Sequence, residues 1–111
     1  MAIQETQLGQ LRPANTTAAS IYSPAAATTA IAKNLVVCNT SAAAAKFRFF
    51  QDLNGTTYDE TTALFWDVEL LVGETLQIDM YAPADDATGN FAVRTDTASA
   101  LTFTLSGVEI T

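Results

Sequence analysis

The sequence has no histidine and a single cysteine, Cys38, among its 111 residues. Without histidine, the chain lacks the general base that activates the serine or cysteine nucleophile in the common catalytic triads. One cysteine cannot form an intramolecular disulfide or build a zinc site. Neither a Gly-x-Ser-x-Gly elbow nor a phosphate-binding glycine loop is present. We therefore expect a protein without enzymatic activity, cofactor or metal ion.

Positive charge is also scarce. The chain has 5 Lys and Arg residues against 12 Asp and Glu residues, for a net charge of −7. Affinity for nucleic acid depends on cations that displace condensed counterions, and anionic membranes attract basic segments. We therefore expect the chain to bind neither nucleic acid nor membrane. Residues 1–10 lack the basic and apolar regions of a signal peptide, which predicts assembly in a reducing cytosol.

Uncharged residues dominate instead. Apolar residues make up 49% of the chain and charged residues 15%, a composition that favours a packed core over disorder. From residue 21 onward, runs that alternate between polar and apolar side chains are separated by turns rich in Gly, Pro, Asn and Asp. We count seven or eight short strands. The sequence thus predicts an all-β protein, a two-layer antiparallel β-sandwich of immunoglobulin-like or jelly-roll type, with an extended N-terminal arm.

Three runs mark strands most clearly. Residues 29–39 carry apolar side chains on both parities, which indicates a central strand, and Cys38 within this run is predicted to be buried. Residues 61–71 alternate up to a Gly-Glu turn and predict the first strand of a hairpin. Residues 101–105 also alternate, and the apolar parity flips after them, which predicts a β-bulge at Ser106-Gly107.

Residues 1–20 form a separate segment in this interpretation, and residues 21–111 form the single sandwich domain. Only Leu8 and Leu11 offer apolar surface in the first segment. It is either a frayed terminus or an arm that orders against a neighbouring subunit. The sequence leaves both interpretations open.

Three aromatic side chains, Phe50, Phe65 and Tyr81, fall on the strand parity opposite the predicted core. Three explanations of this parity are open. An unrecognised bulge could shift the strand, the rings could cover the second layer, or they could form a contact surface, since exposed aromatic patches mark interfaces. Lys46 and Arg48 share the parity of Phe50, and they either bind an acidic neighbour or pair with acids on the next strand. The predicted interface residues are Leu8, Leu11, Lys46, Arg48, Phe50, Phe65 and Tyr81.

Acidic side chains cluster in two loops, one around Asp52, Asn54 and Asp59 and another at Asp85 and Asp86. Oxygen-rich loops bind calcium in some proteins, but the glycine after Asn54 does not match the EF-hand register. We interpret both loops as solvated turns rather than as metal sites.

Three stretches carry a family resemblance. They are 35–41 (Leu-Val-Val-Cys-Asn-Thr-Ser), 55–59 (Gly-Thr-Thr-Tyr-Asp) followed by 67–70 (Asp-Val-Glu-Leu) and 73–76 (Gly-Glu-Thr-Leu), and 101–109 (Leu-Thr-Phe-Thr-Leu-Ser-Gly-Val-Glu). Together they resemble the small β-sandwich virion proteins of tailed bacteriophages, which occur as capsid decoration (cement) proteins and as tail-tip or fibre modules. The resemblance covers the chain from about Ser20 onward.

The resemblance implies a structural protein of the virion with no catalytic residues. A decoration protein would bind the outer capsid surface as a homotrimer, with the major capsid protein and itself as partners, after assembly in a bacterial cytoplasm. The alternative is a tail or fibre module that binds a host-surface receptor or glycan. Tyr81, Trp66 and the Asp85-Asp86 loop would then be the candidate contacts.

Overall fold

The computed structural model describes residues 2–85 and 88–111, and every helix or strand assigned in these residues is a β-strand. The strands are β1 (Ile3–Leu11), β2 (Ala19–Tyr22), β3 (Thr29–Asn39), β4 (Ala45–Asp52), β5 (Ala63–Leu70), β6 (Thr75–Asp85), β7 (Asn90–Thr95) and β8 (Leu101–Ile110). The predicted all-β class is confirmed. Within the described residues, no helix is long and apolar enough to cross a membrane.

The strands form two antiparallel sheets of four. Sheet A has the order β1-β8-β3-β6, and sheet B has the order β2-β7-β4-β5. Every strand pair in both sheets is antiparallel. The chain passes back and forth between the two layers, and its eight strands have the arrangement of a jelly roll. The strand order therefore selects the jelly roll from the two predicted types of sandwich. The hairpin predicted to begin with residues 61–71 is wrong, because β5 and β6 lie in different sheets.

The core lies between the sheets and is built around phenylalanine. Phe47 and Phe49 of β4 alternate inward and are almost completely buried. The Phe49 ring stacks on Phe91 of β7 with centroids 5.8 Å apart. Phe47 meets Phe103 of β8 edge-on at 5.7 Å, so this contact joins the two layers. Such pairs contribute about 0.5–1.5 kcal/mol beyond the burial of apolar area.

A polar contact also connects the layers. The hydroxyl of Tyr22, on β2 of sheet B, donates to Oε2 of Glu109, on β8 of sheet A, at 2.6 Å. Burial raises the pKa of the Tyr22 phenol, and the hydrogen bond with Glu109 and its negative charge raise that pKa further. The phenol therefore remains protonated, and remains a donor, at physiological pH.

The predicted domain boundary at residue 20 needs correction. Ile3–Leu11 forms β1, which pairs with β8 from Ile3↔Ile110 to Leu11↔Phe103. Leu8 and Leu11 pack against the core of the same chain. The sequence did not predict this strand because most of its side chains are exposed, so polar and apolar residues show little alternation. Its backbone hydrogen bonds to β8 determine its position.

The predicted bulge at Ser106-Gly107 lies in the neighbouring strands instead. β8 keeps its parity, since Gly107 is buried while Ser106 and Val108 are half-buried. The register shifts because β1 and β3 each insert one extra residue beside this point, Leu8 and Lys33 respectively.

The β3 strand is central, as predicted, since it lies between β8 and β6. Leu35 and Val37 face the core and are fully buried. Val36 and Cys38 lie on the outer face of sheet A and are only half-buried. The prediction of a buried thiol is therefore corrected, since no second layer covers this face within the described chain.

Candidate interaction surface

The predicted interface residues separate into buried and accessible groups. Phe50 is 1% exposed, and Phe65 packs against the core, as Leu8 and Leu11 do. Tyr81, by contrast, is 70% exposed. Lys46 is also exposed, and Arg48 is half-buried.

Phe65 points inward, and its predicted outward orientation is wrong. The register of β4 with β5 runs from Phe47↔Val68 to Phe49↔Phe65, so two residues of β5 oppose one residue of β4. One of the two, Asp67, has a left-handed backbone with φ of 51°. This bulge reverses the parity of the first half of β5, so Phe65 contacts Phe47 and Phe49.

The same bulge turns Trp66 outward, although its parity predicts a core position. Trp66 is 39% exposed and stands on the outer face of sheet B. It covers Phe50, with the two rings perpendicular and their centroids 6.3 Å apart. Tyr58, from the β4–β5 loop, covers Phe50 from another side at 6.0 Å. Phe50 thus has the predicted outward parity but lies beneath two other aromatic rings.

Arg48 completes this group. Its guanidinium carbon lies 3.5 Å from the centroid of the Trp66 ring. Its Nε donates to Oδ1 of Asp67 at 2.6 Å, and its Nη2 donates to Oδ2 at 3.2 Å. The hydrogen bond from Arg48 holds the pKa of the Asp67 carboxyl below its usual range. We call Arg48, Phe50, Tyr58, Trp66 and Asp67 the sheet B cluster.

Basic residues collect around this cluster. Arg94 of β7 is directly opposite Arg48 in the register, and Lys46 lies two residues before Arg48 on the same strand. These three residues are most of the five cations in the chain. Arg94 is held by a hydrogen bond from its Nε to the carbonyl of Thr16 at 2.8 Å. Two arginines side by side on one face favour a neighbouring group that supplies negative charge.

Sheet A is the more acidic of the two sheets. Its described strand residues include one cation, Lys33, and four acidic residues, Glu5, Asp79, Asp85 and Glu109. The strands of sheet B carry three cations, Lys46, Arg48 and Arg94, against three acidic residues, Asp52, Asp67 and Glu69. Sheet B is therefore the less acidic sheet and the better suited of the two to an acidic protein surface.

One end of the sandwich carries exposed aliphatic residues. Leu71 and Val72, in the turn between β5 and β6, are 58% and 59% exposed. Below them, the buried Asn39 donates from Nδ2 to the carbonyls of Leu70 and Ala43 at 3.1 and 2.9 Å. These bonds fix the base of the turn while its tip stays accessible.

The acidic loop after β4 satisfies its own carboxylate. Asp52 accepts hydrogen bonds from the backbone N–H groups of Asn54, Thr56 and Thr57. These bonds lower the pKa of the Asp52 carboxyl. Among the described residues, no cluster of three or more His, Cys, Asp or Glu side chains could hold a metal ion. Asp86, in the other acidic loop, lies outside the described residues.

Comparisons with known proteins identify the fold. No protein-family model and no curated protein matches the chain. A chain in the crystal structure of the T13 infectious bursal disease virus particle matches with a TM-score of 0.57 at 13% identity, over 97% of this chain and 30% of that chain. A chain in the structure of the Gx strain of the same virus matches with a TM-score of 0.53 at 16% identity, over 97% and 32% respectively. This chain therefore spans about a third of the virus chains that share its fold.

Proposed function

We propose that this protein is a non-enzymatic structural protein of a virus particle that decorates the outer surface of a capsid. The observation that carries the proposal is the exposed Trp66–Arg48 pair, fixed by Asp67 on the more basic face of a jelly roll. The shared fold with two virus-particle chains supports a place in a virion. The resemblance to tailed-phage proteins supports a bacteriophage and a bacterial host.

The sheet B cluster has the composition and rigidity of a binding hot spot. Tryptophan, tyrosine and arginine are the residues that dominate the energetics of protein interfaces. Here Trp66 packs on Phe50 and on Arg48, so its ring is already ordered before a partner arrives. Side chains that are fixed in advance lose less conformational entropy on binding. The cluster therefore docks on a protein surface with little reorganisation.

The partner in this proposal is the major capsid protein. Lys46 and Arg94 flank the cluster and orient it toward acidic groups of that partner. Further contacts between copies of this chain would complete a homotrimer, with the exposed Leu71 and Val72 as candidates for its apolar centre. Binding of many copies would stabilise the shell against the pressure of its contents.

Counting copies in purified particles tests the proposal. Mass spectrometry would quantify this chain against the major capsid protein, and a decoration role predicts hundreds of copies in a fixed ratio. Particles that lack the protein should break at lower temperature. Absence from particles, or equal resistance of the depleted particles, would contradict the proposal.

Variants locate the docking face. Trp66→Phe keeps an aromatic ring over Phe50 but reduces the exposed aromatic area. Fewer copies of this variant should bind to each particle. Tyr81→Phe changes an exposed ring on the other sheet and serves as the matched control. Equal occupancy for both variants would place the docking face elsewhere.

A tail or fibre module is the alternative, favoured by the exposed Tyr81 on the face opposite the cluster. A handful of copies per particle would support it. Host-surface receptors would then become the partners to search for.

A further inference from the structure

A row of register irregularities crosses sheet A at one level. In β1 the extra residue is Leu8, and in β3 it is Lys33, both relative to β8. In the β3–β6 pair, Met80 and Tyr81 together oppose Lys33. Bulges bend a strand and re-aim the side chains around them. Three of the four strands, β1, β3 and β6, thus have an irregularity at the same height, which shapes the outer face of the sheet.

A groove of about 450 Å³ lies at this level, within the range of about 300–1,000 Å³ that is usual for ligand clefts. Ser106, Gly107 and Val108 of β8 form its floor. Glu5 of β1 stands on one side and Lys33 of β3 on the other. Since β8 separates these two strands, the walls are about 10 Å apart, enough for one small ring.

The groove presents both donors and acceptors of hydrogen bonds. Lys33 supplies an ammonium group, Glu5 a carboxylate, and Thr6 and Ser106 supply hydroxyls. Within residues 2–85 and 88–111, the only salt bridge is elsewhere, and neither the Lys33 ammonium nor the Glu5 carboxylate has a hydrogen-bond partner. Both groups are therefore available to a ligand.

An exposed aromatic ring lies beside the groove, on the other side of Lys33 from its floor. The Lys33 ammonium lies 5.8 Å from the centroid of the Tyr81 ring, and Tyr81 is 70% exposed. Next to it, Asn34 Nδ2 donates to Asp79 Oδ1 at 3.0 Å. The surface thus combines a flat apolar ring with a strip of polar groups, all on the outer side of sheet A.

We infer that this groove, with Tyr81, binds a neutral saccharide unit. A sugar ring presents C–H groups on one face, which pack on an aromatic ring, and hydroxyls at its rim, which both donate and accept hydrogen bonds. Glu5 accepts from such hydroxyls, whereas Lys33 and Ser106 donate to them. An anionic ligand fits less well, because Glu5 and Asp79 outnumber Lys33. The site lies opposite the sheet B cluster, so the inference is independent of capsid docking.

Heteronuclear NMR of the purified chain tests the inference with a panel of neutral hexose and N-acetylhexosamine sugars. The panel contains monosaccharides and oligosaccharides, which separate recognition of one ring from recognition of a chain, and uronate-containing sugars serve as acidic comparators. We expect neutral sugars to shift the amide signals of Lys33, Tyr81 and Ser106. Shifts confined to the other sheet, no shifts at all, or tighter binding of the acidic sugars would overturn it.

Variants provide a second measurement. Tyr81→Ala should lower the affinity for the tightest-binding neutral sugar by about threefold to tenfold, as expected for loss of one aromatic contact. Lys33→Ala should lower this affinity by a similar factor. Gln77→Ala changes an exposed residue on the same strand, away from the bulge row, and should leave the affinity unchanged. Equal affinity in Tyr81→Ala and Gln77→Ala would overturn the assignment.

Discussion

The Arg48 guanidinium stacks on the Trp66 ring at 3.5 Å, and this contact depends on a bulge that the sequence alternation conceals. Asp67 adopts a left-handed φ of 51°, which turns Trp66 to the outer face. The Asp67 carboxylate then binds Arg48 through two oxygens. One irregular residue therefore creates both the exposed ring and the ion pair that fixes it.

Replacing Arg48 should loosen this arrangement. Arg48→Ala removes the stacking group and the partner of Asp67, and Arg48→Lys cannot restore the planar two-bond contact. We expect a lower urea midpoint for both variants. The chain has one tryptophan, so a red shift in its fluorescence would report the exposure of Trp66. Lys46→Ala, on the same strand and face, is the control, and the hypothesis fails if all three variants match the wild type.

Phe50 should behave as a buried residue although it lies outside the central core. Tyr58 and Trp66 cover it, so Phe50→Ala leaves a cavity and should cost about 3–5 kcal/mol of unfolding free energy. Tyr81→Ala removes an exposed ring and should change stability by no more than about 0.5 kcal/mol. Chemical denaturation compares the two variants. Similar small effects at both sites would show that the ring of Phe50 is accessible after all.

The contrast between these residues shows what alternation can and cannot predict. The bounds of strand β3 follow from the sequence, although its buried positions change from Ala30 and Ala32 to Leu35 and Val37 across the bulge. Phe65 was misplaced because the bulge at Asp67 has no glycine or proline to mark it. Phe50 stood out as a break in the pattern of β4, which was the available signal for the sheet B cluster. Its cover by Tyr58 could not be foreseen, because that contact depends on how a loop folds back over the sheet.

The sequence did not predict the N-terminal strand, β1, for a different reason. Most side chains of β1 are exposed, so no period-two pattern of burial marks it. Its position depends on backbone hydrogen bonds with β8, a strand at the other end of the sequence. Because β1 has no clear alternation, its local hydrophobicity does not specify such a pairing.

Acid should destabilise the protein through Asp52. Its carboxyl pKa is lowered by hydrogen bonds from the backbone N–H groups of Thr57, Asn54 and Thr56. A group whose pKa is lower in the folded state stabilises the fold above its unfolded pKa, and this contribution is lost as the pH falls through the folded pKa. We therefore expect the unfolding free energy to decrease on acidification below about pH 4.

Asp52→Asn tests this assignment by urea denaturation across the acidic range. The variant keeps an oxygen acceptor but no charge, so it should be less stable at neutral pH. Its free energy of unfolding should also change less steeply with pH. Glu69→Gln removes the same charge at an exposed position of β5 and should keep the slope of the wild type. An unchanged slope in Asp52→Asn would assign the acid sensitivity to other carboxylates, with Asp59 and Asp67 the next to test.

Replacing either of two glycines by alanine should lower the free energy of unfolding, for a different physical reason at each position. At Gly107, a Cβ atom would lie 2.0 Å from the carbonyl oxygen of Ile31 and 3.0 Å from its carbon. Both are backbone atoms of the neighbouring strand, so β3 and β8 would have to separate. We expect Gly107→Ala to cost about 3 kcal/mol of unfolding free energy, because backbone atoms cannot move aside as a side chain can. At Gly73, no atom lies within 4 Å of the added Cβ, but φ is +74°.

Gly73→Ala should therefore cost only about 1 kcal/mol, through the strain of a left-handed backbone. Gly73→Asn should cost less, because asparagine adopts this conformation more readily. Urea denaturation of the three variants separates the two mechanisms, since asparagine relieves strain but not a clash. If Gly107→Ala were as mild as Gly73→Ala, the close approach of β3 and β8 beside the sheet A groove would be wrong, and the shape of that groove with it.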